Sequence, residues 1–243
     1  MPVGSRSPLV LSLFRQAAFV RPWSVGGLAN AMRWLEVLAA GLYTFQETGS
    51  GLVVAVVIAC RMLPMLLLGA FAGAIAEAIN RRRILLGGVM LMGSAAATIA
   101  VLAAFYRVEP WHLAVAGLVS GSVWASEMAT RRRMIGEAAG VERLVMAVGL
   151  DSVTNALTRM IGPILGGATY ETIGLAGAYA TSAAVHLFAA AIVAGLQYRQ
   201  EVRRLKLSAI PLDIVASLKL AGARPMLLMV FAVTIVTNAF GFS

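Results

Sequence analysis

Arg33 and Glu36 stand three residues apart in a run that is otherwise apolar, Trp23–Phe45. On a helix that spacing puts both side chains on one face. A guanidinium beside a carboxylate can close an internal ion pair. Alternatively, both can face a cavity, where the carboxylate takes up and releases a proton. The spacing alone leaves both uses open. Arg61, Arg159 and His186 also fall inside apolar runs. Arg61 is expected toward one end of its run, where it can snorkel to an interface. Arg159 can hold a substrate anion, or a carboxylate such as Asp151. Eight residues separate it from Asp151, about 12 Å of helix, which makes that pairing poor. A lone histidine in such a run is ordinarily a packed, hydrogen-bonded core residue.

Two segments carry denser patterns. Residues 73 to 85 read Gly-Ala-Ile-Ala-Glu-Ala-Ile-Asn-Arg-Arg-Arg-Ile-Leu between two apolar runs. Gly73 permits close helix approach, and Asn80 is expected in the left-handed conformation of a tight turn. Glu77 can pair with Arg81 or Arg82, or with a helix N-terminus, which makes the segment a latch. The plain alternative is a basic turn with an incidental carboxylate. The second segment, 158 to 167, reads Thr-Arg-Met-Ile-Gly-Pro-Ile-Leu-Gly-Gly. Pro163 removes a backbone donor and bends a helix, and Gly162 and Gly166 make a smooth face; Gly167 extends it.

These residues need membrane helices to position them. Of 243 residues, 60% are hydrophobic and only 13% charged, against about a quarter charged in soluble domains; the mean hydropathy is +0.84. So few charges cannot cover that much apolar surface in water, so the solvent for most of the chain is lipid. A spanning helix needs about 20 apolar residues, and six runs meet that length: Trp23–Phe45, Leu52–Ile75, Ile84–Phe105, Trp111–Met128, Leu144–Ala168 and Ala176–Leu196. A seventh starts at Met226. The first run lacks a signal-peptide cleavage site and is expected to be retained. No strand-length alternation suggests a β-barrel.

The net charge of +9 sits in alternate connections, not in a nucleic-acid-binding patch. Arg6, Arg15 and Arg21 precede the first run, Arg81–Arg83 follow the second, Arg131–Arg133 and Arg143 follow the fourth, and six Lys or Arg follow the sixth. The remaining connections, Gln46–Gly51, Tyr106–Pro110 and Tyr170–Leu175, carry only Arg107. Positive loops stay inside, which predicts a cytoplasmic N-terminus in a prokaryotic cell membrane. Trp23, Trp111 and Tyr106 suit an interfacial belt. The expected organisation is a six-helix unit, 1–197, a basic cytoplasmic linker, 198–225, with a short amphipathic helix near 213–224, and a truncated seventh helix, 226–243. That last run reads as the start of a missing C-terminal half.

The segment 73–85 resembles the loop between the second and third helices of the major facilitator superfamily of transporters, Gly-x-Leu-Ala-Asp-Arg-x-Gly-Arg-Lys-x-x-Leu. Gly73, Ala76, Glu77, Asn80, Arg81, Arg82 and Leu85 fall on its positions, with Glu77 for Asp, Asn80 for Gly, Arg82 for Lys and Ala78 for an Arg. Gly162-Pro163-x-x-Gly166-Gly167 is similar to the motif that proton-coupled exporters of this superfamily carry in the fifth helix, with Thr158 where they usually have Gly. Thr48-Gly49-Ser50 and Arg61-Met62-Leu63-Pro64 resemble the branch of siderophore and macrolide exporters.

The resemblance implies an all-α six-helix bundle built as two inverted three-helix repeats, plus the severed seventh helix. It implies secondary transport by alternating access, with efflux of a small molecule driven by protons. Glu36, Arg33 and Arg159 become the cavity candidates, and Glu127 joins the cytoplasmic charge relay. The glycines at 162–167 would be the surface on which two halves move. A membrane scaffold or an inactive half-transporter fragment is the other reading. No nucleotide-binding loop, metal-ligand cluster or catalytic base motif occurs, so no cofactor and no enzymatic activity are expected.

Overall fold

Helix follows helix through the chain because its apolar runs are punctuated by few breakers. The computed structural model describes residues 7–196, 198 and 229; the side chains of 7–10, 66 and 68–78 are outside that description. The chain divides into two units, Met1–Arg203 and Arg204–Ser243, and the six helices all belong to the first. The expected linker, 198–225, with its amphipathic segment, and the seventh run lie outside the described residues, Tyr198 and Met229 apart.

The helices are α1 Ser7–Phe14, α2 Ala17–Thr48, α3 Gly51–Ala78, α4 Arg81–Ala104, α5 Pro110–Ala139 and α6 Leu144–Ala194. A 3-10 turn, Val141–Arg143, joins α5 to α6. The helices end where backbone chemistry dictates. At the end of α2, Gly49 adopts φ 61° and returns its N–H to the Phe45 carbonyl at 2.8 Å. Pro110 begins α5 where a missing N–H costs nothing, and Glu109 and His112 close a reciprocal cap across its first turn. Asn80 corrects one expectation: it is not left-handed (φ −57°, ψ 120°) but caps α4, its Oδ1 accepting from the Arg82 N–H at 3.0 Å. Accepting an orphan amide at a helix start is what short polar side chains do best.

Three spans differ from the sequence reading. The short helix α1 precedes the first run. The fourth run continues three turns beyond Met128, so Arg131–Arg133 lie on helix, not in a loop. The expected loop Tyr170–Leu175 is a break at one residue, Gly174, with φ 67° and ψ −174° inside α6. Only glycine occupies that region at no steric cost, so the two arms of α6, 144–173 and 175–194, meet without a connecting loop. Among the described residues, two segments, Arg81–Ala104 and Val141–Ala194, are long and apolar enough to cross a membrane by hydropathy. Helices α2 and α5 fall short because charged and small polar residues interrupt them.

The packing pairs α2 with α6, α3 with α5 and α4 with α6 most extensively. The first arm of α6 meets α2: a Cβ on Gly162 would lie 2.5 Å from Trp34 Cβ, and one on Gly166 2.7 Å from the Leu35 carbonyl oxygen. The second arm meets α4, where a Cβ on Gly93 would lie 3.1 Å from His186 Cβ. Exchanging the set α2, α3, α4 with the set α5 and the two α6 arms maps α2–α6 onto α5–α3 and returns α4–α6 to itself. This is the pairing expected of two inverted three-helix repeats. It also relocates the Gly162–Gly166 face, which is spent inside this bundle against α2.

The bundle is inverted relative to a water-soluble protein. Leu52, Leu67, Val101, Met160, Ile164 and Phe188 are more than half exposed, while Arg33, Glu36, Arg61, Glu127, Arg131 and Asp151 are buried. Apolar clusters flank those charges. One gathers Met32, Leu35, Ala39, Ile99, Leu113 and Tyr179. Another, toward the arginine-rich end, gathers Val25, Leu85, Val89, Met134 and Val193. Gly174→Ala should lower stability by about 1–3 kcal/mol, measured as an earlier unfolding transition in detergent; an unchanged transition would mean that the break relaxes without strain.

Candidate functional site

Three guanidinium groups and three carboxylates converge in the interior from four helices. Arg33 does not pair with Glu36. Its Nη2 donates to Glu127 Oε2 on α5 at 2.8 Å, and its Nη1 donates to Asn30 Oδ1 at 2.8 Å. The guanidinium carbon lies 4.8 Å from the centre of the Trp124 ring, adding a cation–π contact. Glu36 is held from α3: Arg61 Nη2 donates to its Oε2 at 3.1 Å, and Ser182 Oγ on α6 donates to its Oε1 at 2.6 Å. The self-neutralising pair is therefore replaced by two pairs across helices. Arg33 and Glu36 share a face but reach different neighbours.

Arg61 corrects a second expectation. It is only 4% exposed and does not snorkel. Ten residues of helix separate it from the start of α3 at Gly51, about 15 Å, which is half of a hydrocarbon core about 30 Å thick. Besides Glu36, it donates to Ser120 Oγ on α5 at 3.0 Å and to the Arg33 carbonyl oxygen at 3.4 Å. A Cβ on Gly121 would collide with the Arg61 carbonyl oxygen, so glycine there lets α3 and α5 close on each other. A cavity of about 10 Å³ beside Glu36 is lined by Met92, Ala95, Ala96, Ala116, Ser120 and Tyr179, room for about one water.

Toward the arginine-rich end, Arg131 ion-pairs with Asp151 on α6 and lies 3.7 Å from Glu127 Oε1. Arg131 presses on α2 at Gly26, where any Cβ would overlap its guanidinium. Asp151 thus belongs to Arg131, not to Arg159. Asn155 Nδ2 donates to Asp151 Oδ2 at 3.3 Å. Thr158, where the resembled motif has Gly, accepts from Asn30 Nδ2 and adds another link between α6 and α2.

The other predicted residues have surroundings of their own. Arg159 is exposed, with its guanidinium carbon 5.2 Å from the centre of the Trp34 ring. Pro163 lies within the first arm of α6, and a Cβ on Gly167 would touch Leu38 at 3.5 Å. Trp23 is not merely interfacial: its Nε1 donates to Thr154 Oγ1 at 3.0 Å. His186 is the packed, hydrogen-bonded histidine that the sequence suggests.

Of the latch segment, Gly73 and Glu77 are in α3, but their side chains lie outside the described residues. Arg81 ion-pairs with Glu137 on α5 and donates to the Tyr198 hydroxyl, which itself donates to Glu137. Burial and that bond to Glu137 hold the Tyr198 phenol above its ordinary range. Arg82 donates to the carbonyl oxygens of Val193 at 3.3 Å and Ala194 at 2.6 Å, a cation at the negative end of α6. The carboxylate that meets Arg81 is thus Glu137, not Glu127. Ten residues, about 15 Å of helix, carry Glu127 inward to Arg33. Among the described residues, no three His, Cys, Asp or Glu side chains converge to hold a metal ion.

The sequence alone does not single out Glu137, Ser120 and Ser182 as members of such a network, and it offers Asp151 only to Arg159. The signal it does carry is that Arg33, Glu36, Arg61 and Glu127 all fall within apolar runs, which marks them as mutual candidates.

Residues 8–241 match the major facilitator superfamily family described as transmembrane secretion effector, and the chain belongs to that family. It is 28% identical over 174 residues to the multidrug efflux pump Tap of Mycolicibacterium fortuitum, covering 70% of this chain and 40% of that protein. It is 25% identical over 163 residues to the uncharacterized MFS-type transporter YfiS of Bacillus subtilis (strain 168), covering 64% of this chain and 38% of that protein. The matched segment thus spans less than half the length of both relatives. The chain is a membrane-embedded, all-α protein of a transporter family.

Removing one partner of a buried ion pair strands the other, at about 3–5 kcal/mol. Glu127→Gln, which strands Arg33, should destabilise the protein by that order in thermal unfolding. Adding Arg33→Met to it should recover much of the loss, whereas additive losses would mean that the two do not interact.

Proposed function

We propose that this chain forms the N-terminal half of a proton-coupled efflux transporter that works by alternating access. The observation that carries the proposal is the Arg61–Glu36–Ser182 contact: a carboxylate in the bundle interior, neutralised by one guanidinium and beside a water-sized cavity. In lipid such a group is tolerated only while it is paired or protonated. Proton uptake by Glu36 releases Arg61, and substrate-linked deprotonation restores the pair. One carboxylate then tells two conformations apart.

The half-transporter assignment is supported by the fraction of each relative that the match covers. A second six-helix half would seal the pathway, approaching the exposed Arg159–Trp34 face, where a cation–π pair can meet an aromatic or anionic substrate. The grip of Arg81 on Glu137 and of Arg82 on the α6 carbonyls supports a latch at the arginine-rich end. The alternation of basic connections supports placing that end, with the N-terminus, in the cytoplasm of a cell-membrane protein. The efflux direction is read from the multidrug pump among the relatives, and the substrate class is a small molecule.

Fluorescent-dye efflux from cells producing the complete transporter tests this reading. Collapse of the proton gradient should stop efflux, and Glu36→Gln should cut proton-driven efflux at least tenfold while membrane insertion persists. Efflux indifferent to both would end the proposal.

A further inference from the structure

The interior holds one more titratable group that the exchange at Glu36 has not used. His186, on the second arm of α6, has no exposed surface. Its Nδ1 lies 2.8 Å from the Ser182 carbonyl oxygen one turn earlier and 3.3 Å from Ser182 Oγ. A carbonyl oxygen only accepts, so Nδ1 carries the hydrogen, and the neutral ring keeps its lone pair on Nε2. That Nε2 is buried and has no hydrogen-bond partner among the described residues. A base facing nothing is an expensive way to fill a core position, since a buried polar atom without a partner forfeits its hydration. Meanwhile Ser182 Oγ donates to Glu36 Oε1 at 2.6 Å. The hydroxyl therefore stands between an imidazole on α6 and a carboxylate on α2.

We propose that His186, through Ser182, shares the exchangeable proton of Glu36 and sets when that carboxylate is charged. The inference rests on the reading of Glu36 as the proton-exchanging group. In the transfer, His186 protonated on both nitrogens gives its Nδ1 hydrogen to Ser182 Oγ, while Ser182 gives its own hydroxyl hydrogen to Glu36 Oε1. The products are a neutral imidazole with its hydrogen on Nε2, an unchanged hydroxyl and a neutral carboxyl group. Arg61 then loses its anion but keeps Ser120 and the Arg33 carbonyl oxygen. The reverse transfer restores the Arg61–Glu36 pair. His186 acts on transport through Glu36, so it is a positioning residue.

The charged and titratable groups around His186 are few. Helix α2 supplies Glu36 and Arg33, α3 supplies Arg61, α5 supplies Glu127 across Arg33, and α6 itself supplies Tyr179 two turns before His186. Helix α4, which packs on His186 at Gly93, has no titratable side chain beyond Arg83. The response of His186 should therefore follow Glu36 before any other group.

The protein has two histidines, and the other, His112, caps α5 away from this relay. Nitrogen-15 spectra of the histidine-labelled protein in lipid nanodiscs then contain one test ring and one control. While Glu36 is charged, neutral His186 should carry its hydrogen on Nδ1, and on acidification the ring should either gain a second proton or move that hydrogen to Nε2. Glu36→Gln should displace the midpoint of that titration at least tenfold in proton concentration and leave His112 where it was. A hydrogen that stays on Nδ1 alone at every pH, or a midpoint indifferent to Glu36→Gln, overturns the proposal. In proton-driven efflux by the complete transporter, Ser182→Ala should reshape the pH profile and Ser182→Thr should restore it. Identical profiles for Ala, Thr and wild type also overturn it. If wild-type efflux proves independent of protons, the transport reading fails, whereas the spectra still report whether His186 and Glu36 share a proton.

Discussion

A charge inside a lipid-facing bundle has to find its opposite within the bundle. Each unpaired Arg, Lys or Asp at the centre of a membrane helix costs about 2.5–3.5 kcal/mol on insertion scales. Here three guanidinium groups meet three carboxylates, and every pair joins two different helices or two residues one turn apart. Arg33–Glu127 ties α2 to α5, Arg61–Glu36 ties α3 to α2, and Arg131–Asp151 ties α5 to α6. Apolar packing alone gives little orientation where lipid is as apolar as leucine. These pairs favour one rotation of α2, α3, α5 and α6 about their axes, and the close approaches at Gly26, Gly121, Gly162 and Gly166 fit it.

The same arrangement is what a transporter can use. A pair held by desolvation is stiff while both members are charged and slack once one is neutral, because the remaining charge must find another partner. The proposed cycle gives that role to Glu36, whose two oxygens accept from two different helices, α3 through Arg61 and α6 through Ser182. Glu127 is committed otherwise, between Arg33 and Arg131. The carboxylate that meets Arg81 is the half-exposed Glu137, farther along the same helix. One helix thus serves the interior and the rim with two carboxylates about 15 Å apart.

Much of the fold is legible in the sequence because lipid imposes a length on its helices and a sign on its loops. The first six apolar runs are helices, and the basic segment 81–83 is the start of α4. A loop at 170–175 is the natural misreading because Gly, Thr and Glu there signal a turn, while the helix needs only one glycine to break. Arg131–Arg133 read as a loop because charge ends an apolar run before it ends a helix. At the site, the sequence points to Arg33, Glu36 and Glu127 but to the wrong partners. Spacing on one helix favours the pair at i and i+3, whereas partner choice depends on how neighbouring helices are rotated, and that is a tertiary property. The glycine face at 162–166 is legible as a packing surface, but not which helix it packs on.

The central claim is that interior charges work as cross-helix pairs. Exchanging one pair tests it most directly. With Arg33→Glu and Glu127→Arg made separately and together in the complete transporter, the account predicts that each single change abolishes efflux and that the exchanged pair regains part of it. Single substitutions that transport as well as the wild type would contradict it.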